Sequence, residues 1–226
     1  MSRAFISGSK KDLDGINSRD LSSYDFVVVM VDGIEFVSRT VIVGVGITSS
    51  GDKFVLGLRV GNSENFKGRG LSTTVPLLFV IDGGKALNKA IVNIFGDHHF
   101  IQRCVRHKER NILEYLPKKY HYEFRRRWKL IHSMNSFDEA VVEYKNLSLW
   151  LRTINIEATA SLEESNMETL TALKLRAHGD LRKTLLSTNP IESIFDKVRM
   201  YTNRVKRWRS NSDQITRWVA SNLYKI

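Results

Sequence analysis

The chain has 226 residues, 42% of them hydrophobic and 26% charged, the make-up of an ordinary folded protein with a substantial core. No run approaches the roughly 18 apolar residues of a membrane span, and the first residues lack the apolar stretch of a secretory signal, so the expected address is cytoplasmic with no membrane partner. One cysteine, Cys104, excludes an internal disulfide and a multi-thiolate zinc site, while a net charge of +11 points to a polyanionic partner such as nucleic acid.

Residues 1–24 are polar and mixed, with Gly and Ser at 7–9 and Asp-Gly at 14–15, and read as a lead-in. Phe26–Phe36, Thr40–Thr48 and Lys53–Val60 are rich in Val, Ile and Phe, and Ser49-Ser50-Gly51-Asp52 supplies a turn between the last two. This pattern predicts an antiparallel meander of three strands. Leu77–Ile81 is apolar throughout, as suits a strand covered on both faces. Ala86, Leu87, Ala90, Ile91, Ile94 and Phe95 then recur at helical spacing until Gly96, and His99–Gln102 reads as a fifth short strand. From Val105 to Leu173 the apolar spacing is helical, and two further helices are expected over Pro190–Asn203 and from Asp213 to the end. The order of elements matches an α/β, ribonuclease H-like mixed sheet flanked by helices, with a helical insertion.

Basic residues cluster in two stretches. Residues 103–129 hold ten Lys or Arg against three acids, and residues 195–226 hold eight against two. Arg103, Arg106, Lys108, Arg110, Arg125, Arg126 and Arg127 are candidate DNA contacts in the first. In the second, Arg204, Lys206, Arg207, Trp208 and Arg209 combine charge with an aromatic ring able to stack on a base, although core or helix packing suits Trp208 equally well and Trp218 better. A solvated basic face with no partner is the simpler alternative.

Three acids stand at the edges of predicted elements: Asp32 after an apolar run, Asp82 after Leu77–Ile81, and Glu192 in the helix that follows Ser187-Thr-Asn-Pro. Each has a structural explanation. Asp32-Gly33 suits a turn, Asp82 suits a helix N-cap, and Asn189, Pro190 and Glu192 resemble a capping box. Together they suit a carboxylate site for hard cations, because phosphodiester cleavage by two metal ions needs oxygen ligands that hold the ions about 3.5 to 4 Å apart.

The segments Asp32-Gly-Ile-Glu-Phe, Leu77-Leu-Phe-Val-Ile-Asp-Gly-Gly-Lys-Ala-Leu, Ile101-Gln-Arg-Cys-Val-Arg-His-Lys-Glu-Arg-Asn, Glu168-Thr-Leu-Thr-Ala-Leu, Ser187-Thr-Asn-Pro-Ile-Glu and Val205-Lys-Arg-Trp-Arg resemble Mutator-type transposases of bacterial insertion sequences. The resemblance runs from about Arg19 to Trp218. It implies a ribonuclease H-like core whose acidic triad falls on Asp32, Asp82 and Glu192, with the helical insertion before the third acid. It also implies two Mg2+ or Mn2+ ions per site and a Cys-x-x-His element at Cys104 and His107, a pair too small for a closed zinc site. The implied reaction is hydrolytic cutting at the element ends followed by attack of the freed 3′-hydroxyl on target DNA. The partners implied are the element ends and target DNA, with homo-oligomerisation on DNA and a nucleoid address.

On this basis the chain divides into a lead-in over 1–24 that is the remnant of a DNA-binding region, a first part of the core over 25–104, a helical insertion over 105–186 and a catalytic helix with basic tail over 187–226. Two departures from the family are expected. Family members begin with a longer helical DNA-binding region, and they carry a helix after the segment equivalent to Gly61-Asn-Ser-Glu-Asn, where this chain has only 16 residues between Val60 and Leu77. These departures suggest a truncated or degenerate copy. The alternatives are a catalytically inactive DNA-binding fragment that modulates full-length transposase and a host nuclease of the same fold.

Overall fold

The computed structural model describes residues 3–36, 39–60, 66–205, 207–209 and 212–224, with the backbone alone at 60 and 67. In chain order the elements are α1 (Arg3–Ser18), β1 (Phe26–Phe36), β2 (Arg39–Thr48), β3 (Lys53–Val60), β4 (Leu78–Ile81), α2 (Lys85–Phe95), β5 (Phe100–Arg103), α3 (Val105–Tyr115), α4 (His121–Ser133), α5 (Phe137–Arg152), α6 (Ile156–Glu163), α7 (Thr171–Lys174), α8 (Gly179–Leu185), α9 (Asn189–Thr202) and α10 (Gln214–Leu223). The five strands form one sheet in the order β3-β2-β1-β4-β5.

The meander follows from its residues. β1 pairs antiparallel with β2, with Val29 opposite Gly46, Asp32 opposite Val43 and Ile34 opposite Val41, and β2 pairs antiparallel with β3. Val29, Met30, Ile34, Val41, Val43, Leu56 and Leu58 are all completely buried. Apolar side chains of this kind, most of them branched, pack well on a pleated surface, and each buried one contributes about 1.5–3 kcal/mol. β4 is buried at every position, as its uniformly apolar sequence requires.

The chain divides into two compact units, of which the first comprises residues 1–79, 89–99 and 188–226. In it α1 and α10 pack against β3, and α9 packs against β1. The carboxamide of Asn17 both donates to the Leu58 carbonyl and accepts from the Leu58 N–H, so part of the open edge of β3 is satisfied by a side chain. Phe79 of β4 meets Phe95 of α2 at a ring separation of 4.9 Å, and the N–H of Leu77 donates to Nδ1 of His99. That bond requires a neutral imidazole, in line with the downward shift that burial imposes on His99.

The second unit comprises residues 80–88 and 100–187. Its core gathers Ile112 of α3, Phe124 and Trp128 of α4, Leu147 and Leu151 of α5, and Leu162 of α6. Trp128 stacks on Phe124 and donates its indole N–H to the Val105 carbonyl at 3.3 Å. α5 opens on Ser136, whose hydroxyl accepts from the Glu139 N–H and so satisfies one of the free donors of the first turn.

Two helices depart from the expectations. Residues 3–18, read as lead-in, are helical, because Phe5, Ser9, Leu13 and Ile16 share one face that packs on α10 and β3 despite Gly8 and Gly15. Residues 179–185, given no element, form α8. Between β3 and β4 the described residues 66–77 contain a single 3-10 turn, Lys67–Arg69, and no α-helix. The segment 61–65, after which the family's additional helix is expected, lies outside the described residues.

Candidate active site

Asp32 sits within β1 and is only 8% exposed. The strand continues through Gly33 to Phe36, so the turn reading of Asp32-Gly33 is excluded. A buried carboxylate in a strand is unfavourable both by propensity and by desolvation, so folding alone does not favour an acid at this position. The Gly33 N–H donates to Asp32 Oδ1 at 2.8 Å and holds the carboxylate.

Glu192 belongs to the first turn of α9. The helix starts at Asn189, with Thr188 in the N-cap position and proline just inside, one residue earlier than the sequence suggests. The capping box therefore does not form: Glu192 falls one position past N3, its own N–H donating to the Thr188 carbonyl at 2.9 Å. A carboxylate in a first helical turn is nonetheless favoured by the helix dipole. Because α9 packs on β1, oxygens of Asp32 and Glu192 come within 4.8 Å of one another. Hard oxygen donors this close suit Mg2+ or Mn2+, so the pair fits the divalent ion that the family resemblance implies.

Asp82 directly follows β4 and belongs to the second unit. It is not an N-cap. The Gly84 carbonyl accepts the first helical bond of α2 from Asn88, and Asp82 Oδ1 accepts from the Gly84 N–H at 2.9 Å in an Asx turn. Gly83 between them has φ +108°, a conformation that only glycine adopts without strain.

Cys104 and His107 open α3, also in the second unit. Cys104 is completely buried at the N-cap, and its N–H donates to the Ile81 carbonyl at 2.8 Å, tying the end of β5 to the end of β4. Among the described residues no cluster of three potential metal ligands includes Cys104.

The basic residues separate into two kinds. Arg103 and Lys108, expected to face DNA, are turned inward at 4% and 1% exposure. Arg103 donates to both oxygens of Glu164, at 3.0 and 3.2 Å, and stands 3.8 Å from Glu168; Lys108 donates to Glu164 at 2.7 Å and to the Ser161 carbonyl. Burial holds the Lys108 ammonium below its ordinary pKa and pushes the Glu168 carboxyl up. Burial opposes ionisation of Glu164 too, but the hydrogen bonds from Lys108 and Arg103 leave its carboxyl below the usual range. The sequence shows this only as a charge run, since the partners lie some 60 positions downstream.

Arg106, Arg110, Arg125 and Arg126 are exposed, and Arg127 is half-buried over the Trp150 ring at 5.0 Å. Arg106, Arg110, His121 and Arg125 line an open groove of about 520 Å³ between α3 and α4. A second open cavity, about 680 Å³, lies beside Gly83 and is lined by Lys85, Lys108, Asn111, Tyr115 and Ser161. In the first unit Arg204, Arg207 and Arg209 are exposed, whereas Trp208 packs edge-on against Phe36 at 5.5 Å and against Trp218 at 6.2 Å, the packing reading of that ring. Lys206 lies outside the described residues.

No helix of the described residues is long and apolar enough to cross a membrane. The model of the Mutator family of transposases matches residues 2–224. The chain is 30% identical over 84% of its length to the transposase for insertion sequence element IS6120 of Mycolicibacterium smegmatis, covering 62% of that protein. It is 29% identical over 75% of its length to the transposase for insertion sequence element ISRM5 of Rhizobium meliloti, covering 44% of it. To the transposase for IS256 in transposon Tn4001 of Staphylococcus aureus it is 28% identical over 88% of its length, covering 56%. The chain thus spans less than two thirds of each of these relatives.

Proposed function

Because the chain belongs to the Mutator family of transposases, we propose that it cuts and joins DNA strands by metal-dependent phosphoryl transfer, with Asp32, Asp82 and Glu192 as the carboxylates that hold the ions. The observation that carries this reading is the approach of Asp32 and Glu192 to within 4.8 Å from distant parts of the chain. Divalent ions at these carboxylates supply charge neutralisation at the phosphorus and acidify the attacking hydroxyl or water.

The protein's own share is positional. β1 fixes the Asp32 carboxylate at a buried place, where the Gly33 N–H keeps it oriented. The first turn of α9 presents Glu192 with its charge favoured by the helix dipole. Asp82 contributes the third carboxylate from a loop pinned by its own Asx turn. Arg106, Arg110 and Arg125 in one unit, and Arg204, Arg207 and Arg209 in the other, neutralise phosphates of the bound strands, a contribution that depends on salt and not on sequence. No protein nucleophile takes part, since the attacking group is water or a DNA 3′-hydroxyl.

A second reading is a catalytically inactive DNA-binding fragment of this family. It is favoured by the connection between β3 and β4, where the described residues hold one 3-10 turn in place of the expected helix. Incubation of the purified chain with supercoiled plasmid and Mg2+ or Mn2+ separates the two. Nicking that requires metal and vanishes in Asp82→Ala supports the enzyme; plasmid binding equal in both proteins, without nicking at any metal concentration, supports the fragment.

A further inference from the structure

Arg103 is a buried arginine whose place in the fold has no packing explanation on its own. Its Nη atoms are held by Glu164 and Glu168, but its Nε has no hydrogen-bond partner among the described residues. A buried guanidinium with an orphaned donor is a costly arrangement that calls for a reason. The reason lies on its other side. A Cβ built on Gly83 would overlap Cζ, Nε and Nη2 of Arg103, so the glycine backbone lies directly against the guanidinium. Gly83 is the residue between Asp82 and the N–H that binds the Asp82 carboxylate.

The same acids reach the other end of the loop. Glu168 accepts from the Asn88 carboxamide at 3.4 Å, in the first turn of α2, while Glu164 is fixed in turn by Lys108 and by Arg103. The backbone on the near side is tied as well, since the Cys104 N–H next to Arg103 donates to the carbonyl of Ile81, the residue before Asp82. Residues 81 to 88 are therefore gripped at three points by the end of β5 and by the segment 164–168.

We propose that Arg103 is a positioning residue for Asp82, its guanidinium serving as the platform that fixes the Asp82-Gly83-Gly84 loop, with Glu164 and Glu168 holding the platform in place. This rests on the reading of Asp82 as a metal-holding carboxylate. It replaces a role for Arg103 and Lys108 in contacting DNA with one inside the catalytic loop. It also gives the segment 164–168 a direct bearing on the site: a shift of that segment moves the guanidinium, and with it the loop. Lysine at 103 keeps the charge but offers no flat group for Gly83 to lie against and no second nitrogen to face Glu168 while the first holds Glu164.

The test measures Mn2+ binding to the full chain by electron paramagnetic resonance of the free ion, with thermal melting recorded on the same samples. The variants are Arg103→Lys, Glu168→Gln and, as reference, Asp82→Asn. The expected result is melting within about 3 °C of the parent for Glu168→Gln, together with Mn2+ binding weakened about 10- to 100-fold in Arg103→Lys and by a smaller factor in Glu168→Gln, as is usual for groups that orient a ligand. Should Arg103→Lys fail to fold, Glu168→Gln carries the test, because Glu168 touches the platform and α2 without itself being buried against Gly83. Parental Mn2+ affinity in the folded variants, with binding abolished in Asp82→Asn, overturns the positioning role and leaves the metal reading standing. Parental affinity in Asp82→Asn overturns both.

Discussion

The carboxylates of Asp32 and Glu192 bring oxygens within 4.8 Å of one another, one from a buried strand position and the other from the first turn of a helix packed on that strand. On the proposed reading, a divalent cation held by these oxygens adds to the stability of the protein as well as serving its chemistry. Mn2+ at one hundred times its dissociation constant is expected to stabilise the chain by about 2.7 kcal/mol. Asp32→Asn and Glu192→Gln are each expected to lose that increment, which thermal melting with and without Mn2+ measures directly.

DNA affinity is expected to divide the basic residues. Replacing Arg106, Arg110 and Arg125 together by Ala lowers affinity for unrelated duplexes alike and flattens the dependence of log K on log salt by about 0.9 for each phosphate no longer neutralised. Lys108→Ala acts differently: it removes a partner of Glu164 from a buried cluster and lowers the melting temperature. Fluorescence anisotropy titrations at several salt concentrations, paired with melts, distinguish the two groups.

Burial holds the His132 imidazole down to about 4, aided by the nearby charge of Arg182 and opposed by the hydrogen bond from its Nδ1–H to the Trp128 carbonyl. The folded pKa lies below the unfolded one, so the stability is complete above about pH 6.5 and is lost as pH falls from there toward 4. The loss amounts to on the order of 3 kcal/mol. Denaturant unfolding across that range, compared between the parent and His132→Gln, is expected to show a flatter profile in the variant.

Trp128→Ala removes the largest side chain from the core of the second unit and the bond to the Val105 carbonyl with it. The expected cost is about 3–5 kcal/mol. Trp208→Ala, which opens a partly exposed aromatic cluster with Phe36 and Trp218, costs less and leaves DNA binding near the parental value.

What can be read from the sequence follows the range of the physics involved. β1, β3 and α2 stand within a residue of the expected bounds because their signals are local: runs of branched residues, helical spacing and the stop at Gly96. α1 carries Ser7, Gly8, Ser9 and Gly15, and its stability comes from α10 and from the bonds between Asn17 and Leu58, which no local pattern reports. The Asp32 position is legible because an acid inside a strand conflicts with its surroundings. Arg103 and Lys108 look like surface charge in the sequence because Glu164 and Glu168, which accompany them into the interior, are distant along the chain. The misplaced cap at Glu192 shows the limit of a motif whose meaning changes with a one-residue shift in the start of a helix.

The claim that Asp32, Asp82 and Glu192 hold the catalytic ions is tested most directly by loading the chain with Fe2+ in place of Mg2+ and generating hydroxyl radicals at the bound iron with ascorbate and peroxide. The backbone is expected to be cut near all three residues, with the cuts suppressed by excess Mg2+ and absent in Asp32→Asn. Cuts confined to other places, such as His98 and His99, or a pattern unchanged in Asp32→Asn, would contradict it.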